Sequence, residues 1–328
     1  MIYKKRGQPS EIIGLTALLS RLSSNSLLRE EIQSDLAAVR AGLGGEERLD
    51  EVLANHTFPN GHIFLHDLSL KSTGKFQIDT LYLTPSHAVI FEVKNMAGTL
   101  IFKENPPQLI RILENGQRRA FGSPAAQIER NQDLFNDWLH ARGITLPIYP
   151  VIVFAYPKQI IEEPPANIPV LFPNSVPGFL RRLPKQHSTL KSDELVALTK
   201  ELTDSHAGYI PKPLCEKYSI PIDELITGVA CSNCGHLGMK RVIRTWHCNN
   251  CNTTDPFAHE QTITEWFLLV GREITNRECR RFLHLDKVQT ATRILNSMPM
   301  IPEGNLKKRK YTIDFHTFLE NPRRINRK

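Results

Sequence analysis

Hydrophobic positions divide the chain into a helical start, a strand-rich middle and a mixed end. In residues 10–55 apolar side chains recur three and four positions apart, as on one face of an amphipathic helix. Gly42, Gly44 and Gly45 interrupt this pattern, so we expect a separate helix to begin near Glu46. From residue 62 to 121 alternation and short apolar runs replace it. They predict strands at 62–69, 76–83, 87–94, 99–102 and 108–113.

The helical pattern returns at residues 124–141, with a proline in the first turn, where a missing N–H costs nothing. The β-branched run 148–154 predicts a buried strand. A proline-rich stretch follows, with a short strand near Val170, and then a polar helix at 192–205. Residues 206–228 contain three further prolines and are interpreted as a linker.

Composition places the chain among ordinary globular proteins and excludes several classes. Hydrophobic residues make up 41% and charged residues 23%, which excludes a collagen-like, coiled-coil or largely disordered chain. No apolar run approaches the ~20 residues of a membrane helix, so we expect no membrane partner. The length of 328 residues is enough for two or three units, each with its own core.

Positive charge is concentrated in the last hundred residues. Residues 229–328 carry 17 basic and 9 acidic side chains, whereas residues 1–228 carry 24 and 25. This asymmetry favours a nucleic-acid-binding segment over a solubilising tail, because the segment also contains ordered motifs. At the other end, charged residues such as Glu11 and Arg21 make a poor signal peptide, so we expect a cytoplasmic location.

The most informative segment lies in the predicted sheet. Asp79 is on one strand, and Glu92 and Lys94 lie two residues apart on the next, so both side chains leave the same face. Three ionisable groups among apolar strand residues are costly to bury unless they pair or bind a metal. The carboxylates are the hard oxygen ligands that Mg²⁺ prefers, and Lys94 could orient water or stabilise developing charge.

Four short patterns surround these residues: GxxGE at Gly42–Glu46, QID at Gln77–Asp79, ExKNxxG at Glu92–Gly98 and SPxxQ at Ser123–Gln127. Over about residues 42–155 they resemble the motifs of the nuclease-related domain (NERD) family of the PD-(D/E)xK nucleases. Ser123 replaces the asparagine of the family's NPxxQ helix-start pattern. Ile78 stands where the wider superfamily has its proline, as expected for this family.

This resemblance implies roles for individual residues. It assigns the catalytic site to Glu46, Asp79, Glu92, Lys94 and Gln127. The three carboxylates would hold Mg²⁺ or Mn²⁺, Lys94 would assist attack by water, and Gln127 would help near the site. Glu47 is a neighbouring carboxylate and could take the place of Glu46. A descendant of the fold without activity is an alternative, although all the expected polar residues are present.

Four of the six cysteines form two CxxC pairs, Cys231 with Cys234 and Cys248 with Cys251, and thirteen residues separate the pairs. Two such pairs close a tetrahedral Zn²⁺ site, in which four thiolates leave no position open for catalysis. The segment between them predicts a hairpin with basic residues. We therefore expect a structural zinc ribbon, and we favour it over a redox-active pair or a histidine ligand.

The last segment predicts two short helices joined by a turn. A capping box of Thr275 and Glu278 marks the start of the first helix, which ends near Leu283. Asp286 and Gln289 have the same spacing and predict a cap on the second helix.

The second helix, residues 287–298, has a polar face, while Val288 is among the residues expected to face inward. The basic stretch 304–313 predicts a hairpin after it. The helices and hairpin resemble winged-helix DNA-binding domains, although a protein-interaction module with a solvated basic face is an alternative. The residues expected to contact DNA are Lys287, Gln289, Thr290, Arg293, Lys307, Lys308, Arg309 and Lys310.

The predicted fold is α/β: a restriction-endonuclease-like mixed sheet flanked by helices, plus a small zinc ribbon and a winged helix-turn-helix. The expected division is a helical lead-in (1–41), a nuclease-like domain (42–205), a linker (206–228), a zinc ribbon (229–257) and a winged helix (258–328).

The predicted function is metal-dependent hydrolysis of DNA phosphodiester bonds. Mg²⁺ or Mn²⁺ would be the catalytic cofactor, Zn²⁺ would be structural, and DNA would be the partner of the C-terminal modules. The alternatives are a non-catalytic DNA-binding protein and an RNA-processing nuclease. A homodimer would suit cleavage of both strands. Endonuclease and exonuclease action both fit, as do roles in defence, repair and plasmid maintenance.

Overall fold

The chain forms two compact units, and the division between them falls inside one long helix. Unit 1 comprises Met1–Gly7 and Arg40–Tyr209, and unit 2 comprises Gln8–Val39 and Ile210–Lys328. The computed structural model describes residues 1–58, 61–184, 187, 189–208, 210–305 and 308–315.

Helices occur in both units. Within the described residues, each helix is too short or too polar to cross a membrane. In chain order the helices are α1 (Ser10–Arg21), α2 (Arg29–Ala54), α3 (Pro124–His140), α4 (Val176–Arg182), α5 (Ser192–Asp204), α6 (Leu214–Lys217), α7 (Ala258–Leu269), α8 (Asn276–Leu283) and α9 (Val288–Ser297).

The strands of unit 1 form two sheets. In chain order they are β1 (Ile2–Lys4), β2 (Ile63–Lys71), β3 (Lys75–Leu83), β4 (Ala88–Lys94), β5 (Thr99–Glu104), β6 (Pro107–Ile112), β7 (Arg118–Gly122), β8 (Ile148–Phe154), β9 (Ile160–Glu162) and β10 (Val170–Leu171). The larger sheet has the order β1-β2-β3-β4-β8-β10, and the smaller has the order β7-β6-β5-β9. The strands predicted between residues 62 and 113 are present, with ends within two residues of those expected.

The larger sheet is mixed and has a hydrophobic core on each face. Strands β2, β3 and β4 are antiparallel, whereas β1, β8 and β10 join parallel to their neighbours. Ile90 of β4 packs into a core shared with α3, α5 and the smaller sheet. The next residue, Phe91, packs into a core shared with α2 and α4. This alternation confirms the prediction of a mixed sheet flanked by helices.

Helix α2 runs without a break through its glycines, so the prediction of a separate helix near Glu46 is wrong. A Cβ atom added at Gly45 would lie 2.8 Å from the Asn95 Cβ and 3.2 Å from the Ala155 Cβ. Gly45 therefore allows α2 to approach the ends of β4 and β8. The packing gained outweighs the cost of about 1 kcal/mol for a glycine in a helix.

Unit 2 also contains two small sheets. Its strands are β11 (Val229–Ala230), β12 (Leu237–Arg241), β13 (Trp246–His247), β14 (Thr254–Asp255), β15 (Glu273–Thr275), β16 (Ile301–Glu303) and β17 (Lys310–Thr312). One sheet has the order β11-β12-β13-β14 and the other β15-β17-β16.

A buried ion pair joins α1 to the rest of unit 2. The Arg21 guanidinium lies 2.5 Å from the Glu265 carboxylate of α7, and it also donates to the carbonyl oxygens of Ile226 at 2.9 Å and Gly228 at 3.2 Å. The observed units therefore differ from the expected lead-in at 1–41 and linker at 206–228. Strand β1 belongs to unit 1, whereas α1 and the segment after 210 belong to unit 2. Contacts so distant in sequence leave no local pattern.

Candidate functional site

Strands β3 and β4 bring three of the predicted site residues together. The Asp79 Oδ2 atom accepts a hydrogen bond from the Val93 backbone N–H at 2.7 Å. On β4, Glu92 is 3% exposed, and its Oε1 atom accepts a hydrogen bond from the Lys94 Nζ at 2.6 Å. A carboxylate pair and a lysine thus meet at one end of the larger sheet.

A break in the strand alternation lets Asp79 reach β4. Ile78 and Leu81 pack into the same core, although regular alternation would put residues three positions apart on opposite faces. The two residues between them, Asp79 and Thr80, therefore both face away from that core. Across the strand pair, Asp67 has a left-handed φ of 51°. Irregularities of this kind redirect side chains beside functional sites.

Helix α2 adds Glu46 and Asp50, one turn apart, and Arg6 binds both. The Arg6 Nη1 donates to the Glu46 Oε2 at 2.6 Å, and its Nε donates to the Asp50 Oδ2 at 2.9 Å. Its Nη2 donates to the Asp79 backbone oxygen at 2.8 Å. The Arg6 side chain is only 7% exposed. This arginine follows β1 and joins the cluster from outside the segment that resembles a nuclease.

A histidine extends the cluster behind Asp50. The His66 Nδ1 lies 3.0 Å from the Asp50 Oδ1 and 3.1 Å from the Thr80 Oγ1. Arg6, Asp50 and His66 are neighbours of the site that were not among the predicted site residues. Asp50 follows Glu46 by one helical turn and would have been found had α2 been predicted as continuous. Arg6 lies forty residues before Glu46 and leaves no sequence signal.

Helix α3 brings Gln127 to the same place. Its N-cap, Ser123, accepts a hydrogen bond through Oγ from the Ala126 N–H at 3.4 Å. One turn later, the Gln127 Oε1 accepts a hydrogen bond from the Lys94 Nζ at 3.1 Å. Glu47, by contrast, is exposed on α2. The structure therefore brings Glu46, and not Glu47, to the other predicted residues.

Burial and mutual repulsion disfavour the charged form of three of the four carboxylates. Burial raises the pKa of Glu92 to about 8, and the nearby Asp79 carboxylate adds to the effect. Burial and Asp79 also raise the pKa of Glu46 to about 7, although the Arg6 guanidinium opposes them. Burial raises the pKa of Asp79 as well, against the Val93 N–H. For Asp50, burial acts in the same direction, but hydrogen bonds from His66 and Arg6 outweigh it, so its pKa is lowered.

The three carboxylates have the chemistry of ligands for a hard divalent cation, although among the described residues only the cysteines bring their ligand atoms within 4.8 Å of one another. Glu46, Asp79 and Glu92 each give one oxygen to a hydrogen bond within the cluster, and no described residue donates to the other oxygen. Carboxylate oxygens are the ligands of Mg²⁺ and Mn²⁺ in proteins. A cation would also offset the burial and the mutual repulsion that raise these pKa values. Thus Glu46, Asp79 and Glu92 could hold such an ion.

The four CxxC cysteines form a second cluster, in unit 2. All four Sγ atoms lie within 4.8 Å of one another, and those of Cys231 and Cys251 are 3.6 Å apart. Ligands ~2.3 Å from a tetrahedral Zn²⁺ would be ~3.8 Å apart, so the cluster fits zinc. Both pairs end in the same turn: Gly235 and Asn252 have φ of 72° and 57°, and each N–H donates to the first cysteine's carbonyl oxygen at 2.9 Å. The four cysteines therefore suit a zinc ribbon.

The two helices of the basic segment begin differently. Helix α8 has the predicted capping box, in which the Thr275 Oγ1 accepts from the Glu278 N–H at 3.2 Å and the Glu278 carboxylate accepts from the Thr275 N–H. Asp286 does not form the expected cap. Helix α9 begins at Val288, and its N-cap residue, Lys287, makes no side-chain cap hydrogen bond. Instead, the Asn276 Nδ2 donates to the Val288 carbonyl oxygen at 3.0 Å and ties α8 to α9.

The predicted DNA-contacting residues on α9 are largely on its exposed side. Lys287, Gln289 and Arg293 are exposed, and Thr290 is half-buried. The expectation that Val288 faces inward is wrong, since it is 51% exposed. These exposed positions border a shallow open groove along the helix. Its lining residues are Val288, Gln289, Thr292, Arg293, Asn296 and Ser297.

The basic residues after α9 lie on or beside the β16–β17 hairpin. Lys308 is exposed and Arg309 is half-buried. Lys310, on β17, forms an ion pair with Glu273 of β15, so part of its charge is neutralised within the protein. Lys307 lies outside the described residues.

A comparison with known families returned a match that includes the polar residues at the end of the larger sheet. Residues 41–155 match the family model described as nuclease-related domain (NERD). This segment is therefore similar to nuclease-related domains, and it contains Glu46, Asp79, Glu92, Lys94 and Gln127. Comparison of the chain with curated proteins and with solved structures returned no significant match.

Proposed function

We propose that this protein hydrolyses DNA phosphodiester bonds with Mg²⁺ or Mn²⁺ as cofactor. The observation that carries this proposal is the meeting of Glu46, Asp79, Glu92 and Lys94 within a nuclease-related domain. Glu46, Asp79 and Glu92 would hold the divalent cation, which would supply a Lewis acid for the phosphate and would lower the pKa of bound water.

Lys94 is the group that would touch the reacting atoms. Its Nζ is held by Glu92 at 2.6 Å and by Gln127 at 3.1 Å, and its side chain is 26% exposed. It can therefore reach solvent while two acceptors fix its position. An ammonium group in that place can orient the attacking water or stabilise the charge that develops on phosphate. Gln127 is a positioning residue, because it acts through Lys94.

In this proposal unit 2 binds the DNA. Its order of elements, α7-β15-α8-α9-β16-β17 with a three-stranded sheet, is typical of winged helices. Helix α9 presents Gln289 and Arg293, which are suited to base edges and phosphates in a major groove. Zn²⁺ at the four cysteines would be structural, since it would have no open position.

The first test is cleavage of supercoiled plasmid with and without Mg²⁺ or Mn²⁺. We expect metal-dependent nicking or linearisation that falls at least ~100-fold in Lys94→Ala and in Glu46→Gln. Glu47→Gln is the matched control, because it removes the adjacent exposed carboxylate and should cleave at the wild-type rate. No cleavage by the wild type, or equal cleavage by Lys94→Ala, would favour a non-catalytic DNA-binding protein. Faster cleavage of RNA than of DNA would favour RNA processing.

The role of unit 2 requires point variants rather than a truncation. Deletion after residue 228 would remove α7, which buries Arg21 of α1 through Glu265, and so would damage what remains of unit 2. Arg293→Gln should instead reduce the salt dependence of DNA affinity by about one unit of slope. Lys310→Gln should have a smaller effect, because Lys310 already pairs with Glu273. An unchanged slope in Arg293→Gln would argue against α9 as a DNA contact.

A further inference from the structure

The smaller sheet of unit 1 holds two arginines directly opposite each other. Arg111 of β6 pairs in register with Arg119 of β7. Like charges in this position repel each other and destabilise a strand pair. Neither side chain has an ion pair or hydrogen bond to any described residue, and the Arg111 Nε is buried without a partner. Among the described residues, therefore, no acidic side chain neutralises this pair of cations.

A shared aromatic ring holds the two guanidinium groups side by side. The Arg111 guanidinium carbon is 5.1 Å from the centre of the Phe121 ring, and that of Arg119 is 5.3 Å from the same centre. Cation–π contacts of this kind orient an arginine while leaving its N–H groups available. The arrangement therefore presents two sets of donors to one ligand. Arg119 is exposed and Arg111 is half-buried, so a ligand can reach them.

The strand registers place this pair on the side of the smaller sheet that carries its buried residues. Arg111 is in register with Leu100 of β5, and Leu100 is fully buried in the core shared with α3. Because cross-strand neighbours share a face, Leu100, Arg111 and Arg119 form one row. Arg118 lies one residue away on β7, and its side chain leaves the opposite face.

Two connections link this row to the candidate catalytic residues through short stretches of chain. Gly98, four residues after Lys94, comes so close to Ile112 that an added Cβ would lie 2.4 Å from the Ile112 carbonyl oxygen. Gly98 is at most ~14 Å from Lys94, because it is only four positions further along the chain. Arg111 directly precedes Ile112 and so lies next to this contact. On the other side, β7 leads through Ser123 into the first turn of α3, where Gln127 binds Lys94.

We propose that Arg111 and Arg119 bind the phosphate backbone of the DNA substrate, close to the phosphodiester that is cleaved. This inference rests on the proposed function and gives the nuclease-related domain its own DNA contact, separate from those of unit 2. A polyanion suits this pair, because two guanidinium groups without an acidic partner among the described residues face the ligand. A phosphate between them removes their repulsion, and planar guanidinium groups match its oxygens.

The test is the salt dependence of DNA affinity, measured with the full-length chain. Fluorescence anisotropy with a labelled duplex would be carried out in the Glu92→Gln background without added Mg²⁺ or Mn²⁺, so that DNA is not cut. No chelator is used, because it would strip zinc from the cysteines. Arg111→Gln/Arg119→Gln should lower the slope of log affinity against log salt by about 1.8, the value for two lost phosphate contacts.

Two controls separate charge at this site from charge in general. Arg118→Gln removes a cation from the same strand but the opposite face, so the slope should stay at its unsubstituted value. Arg111→Lys/Arg119→Lys keeps both charges and should retain most of the slope, which also shows that loss in the glutamine variant is not misfolding. An equal slope in the glutamine variant, or an equal drop in Arg118→Gln, would overturn the proposal. A drop with duplex RNA but not with DNA would overturn DNA as the ligand.

The outcome is independent of whether the protein cleaves DNA. If the chain without substitutions does not cut plasmid but the glutamine variant lowers the slope, the binding pair stands and the hydrolytic function fails. If it cuts plasmid and the slope is unchanged, the hydrolytic function stands and the binding pair fails.

Discussion

The two candidate metal clusters of this protein are built in opposite ways. The cysteine cluster takes all four ligands from one short segment, and its sulfur atoms lie within 4.8 Å of one another. The carboxylate cluster takes Glu46 from a helix and Asp79 and Glu92 from two strands. Among the described residues, its oxygen atoms do not come together as closely as the sulfurs do.

The difference follows from the charge on the ligands and from the size of the fold around them. Thiols can lie close together at less cost than carboxylates, but the small ribbon has little core to hold it without a metal. Carboxylates repel each other, so unit 1 holds them with a large sheet and separates them with Arg6 and Lys94. Loss of metal should therefore unfold the first cluster and leave the second folded but inactive.

The largest expected effect is the loss of zinc from the ribbon. Cys248→Ser should abolish zinc binding and the fold of residues 229–257, since structural zinc sites contribute about 10–16 kcal/mol. Elemental analysis should find one zinc per wild-type chain and none in the variant, and hydrogen exchange should report loss of protection in β12 and β13. Cys215→Ala, at a buried cysteine outside the cluster, should retain its zinc. Protection that survives in Cys248→Ser would contradict a structural role for the metal.

The next effect concerns the counterion of the carboxylate cluster. Arg6→Met should lower the free energy of unfolding of unit 1 by about 3–5 kcal/mol, because Glu46 and Asp50 lose their buried partner. Urea denaturation would measure the change in free energy of unfolding, and hydrogen exchange of the β4 amides would show that it occurs in unit 1. Mg²⁺ should restore part of the loss by taking over the role of the cation. Lys5→Met, at an exposed neighbour, is the matched control. Equal stability of the two variants would show that Arg6 does not support the cluster.

A smaller effect is expected from pH. The pKa values of Glu46 and Glu92, about 7 and about 8, lie above the ordinary carboxylate value, so ionisation disfavours the folded state. Without a divalent cation, the free energy of unfolding of unit 1 should fall as pH rises from the ordinary carboxyl pKa of 4.5 to about 8, and these two groups should change it little above that. Added Mg²⁺ should raise the melting temperature more above pH 8 than below pH 7. An equal rise in melting temperature below pH 7 and above pH 8 would show that the cation does not bind at these carboxylates.

The smallest effect tests how closely α2 approaches the sheet. Gly45→Ala should destabilise unit 1 by about 1–3 kcal/mol, because its Cβ would meet Asn95 at 2.8 Å. Gly42→Ala in the same helix has no atom within 4 Å of its Cβ and should instead stabilise by about 0.5–1 kcal/mol. Thermal unfolding of both variants would decide the point. Equal effects would mean that Gly45 is not needed for the approach.

Much of the fold could be predicted because it follows local rules. Alternation predicted β2 to β6 to within two residues, and the capping box of Thr275 and Glu278 predicted the start of α8. The failures occur where tertiary packing overrides a local preference. Gly45 suggests a break but serves a close contact, and Asp286 has the spacing of a cap but makes none.

For the site, sequence by itself determined which ligands are available and which of them are neighbours on a strand or in a knuckle. Glu92 with Lys94, and each CxxC pair, follow from covalent spacing and the geometry of regular backbone. Only the tertiary structure decided that Arg6 faces Glu46 and that α1 belongs to unit 2. These contacts join segments far apart in sequence, and their partners are selected by packing and charge across the whole fold, which no local period encodes.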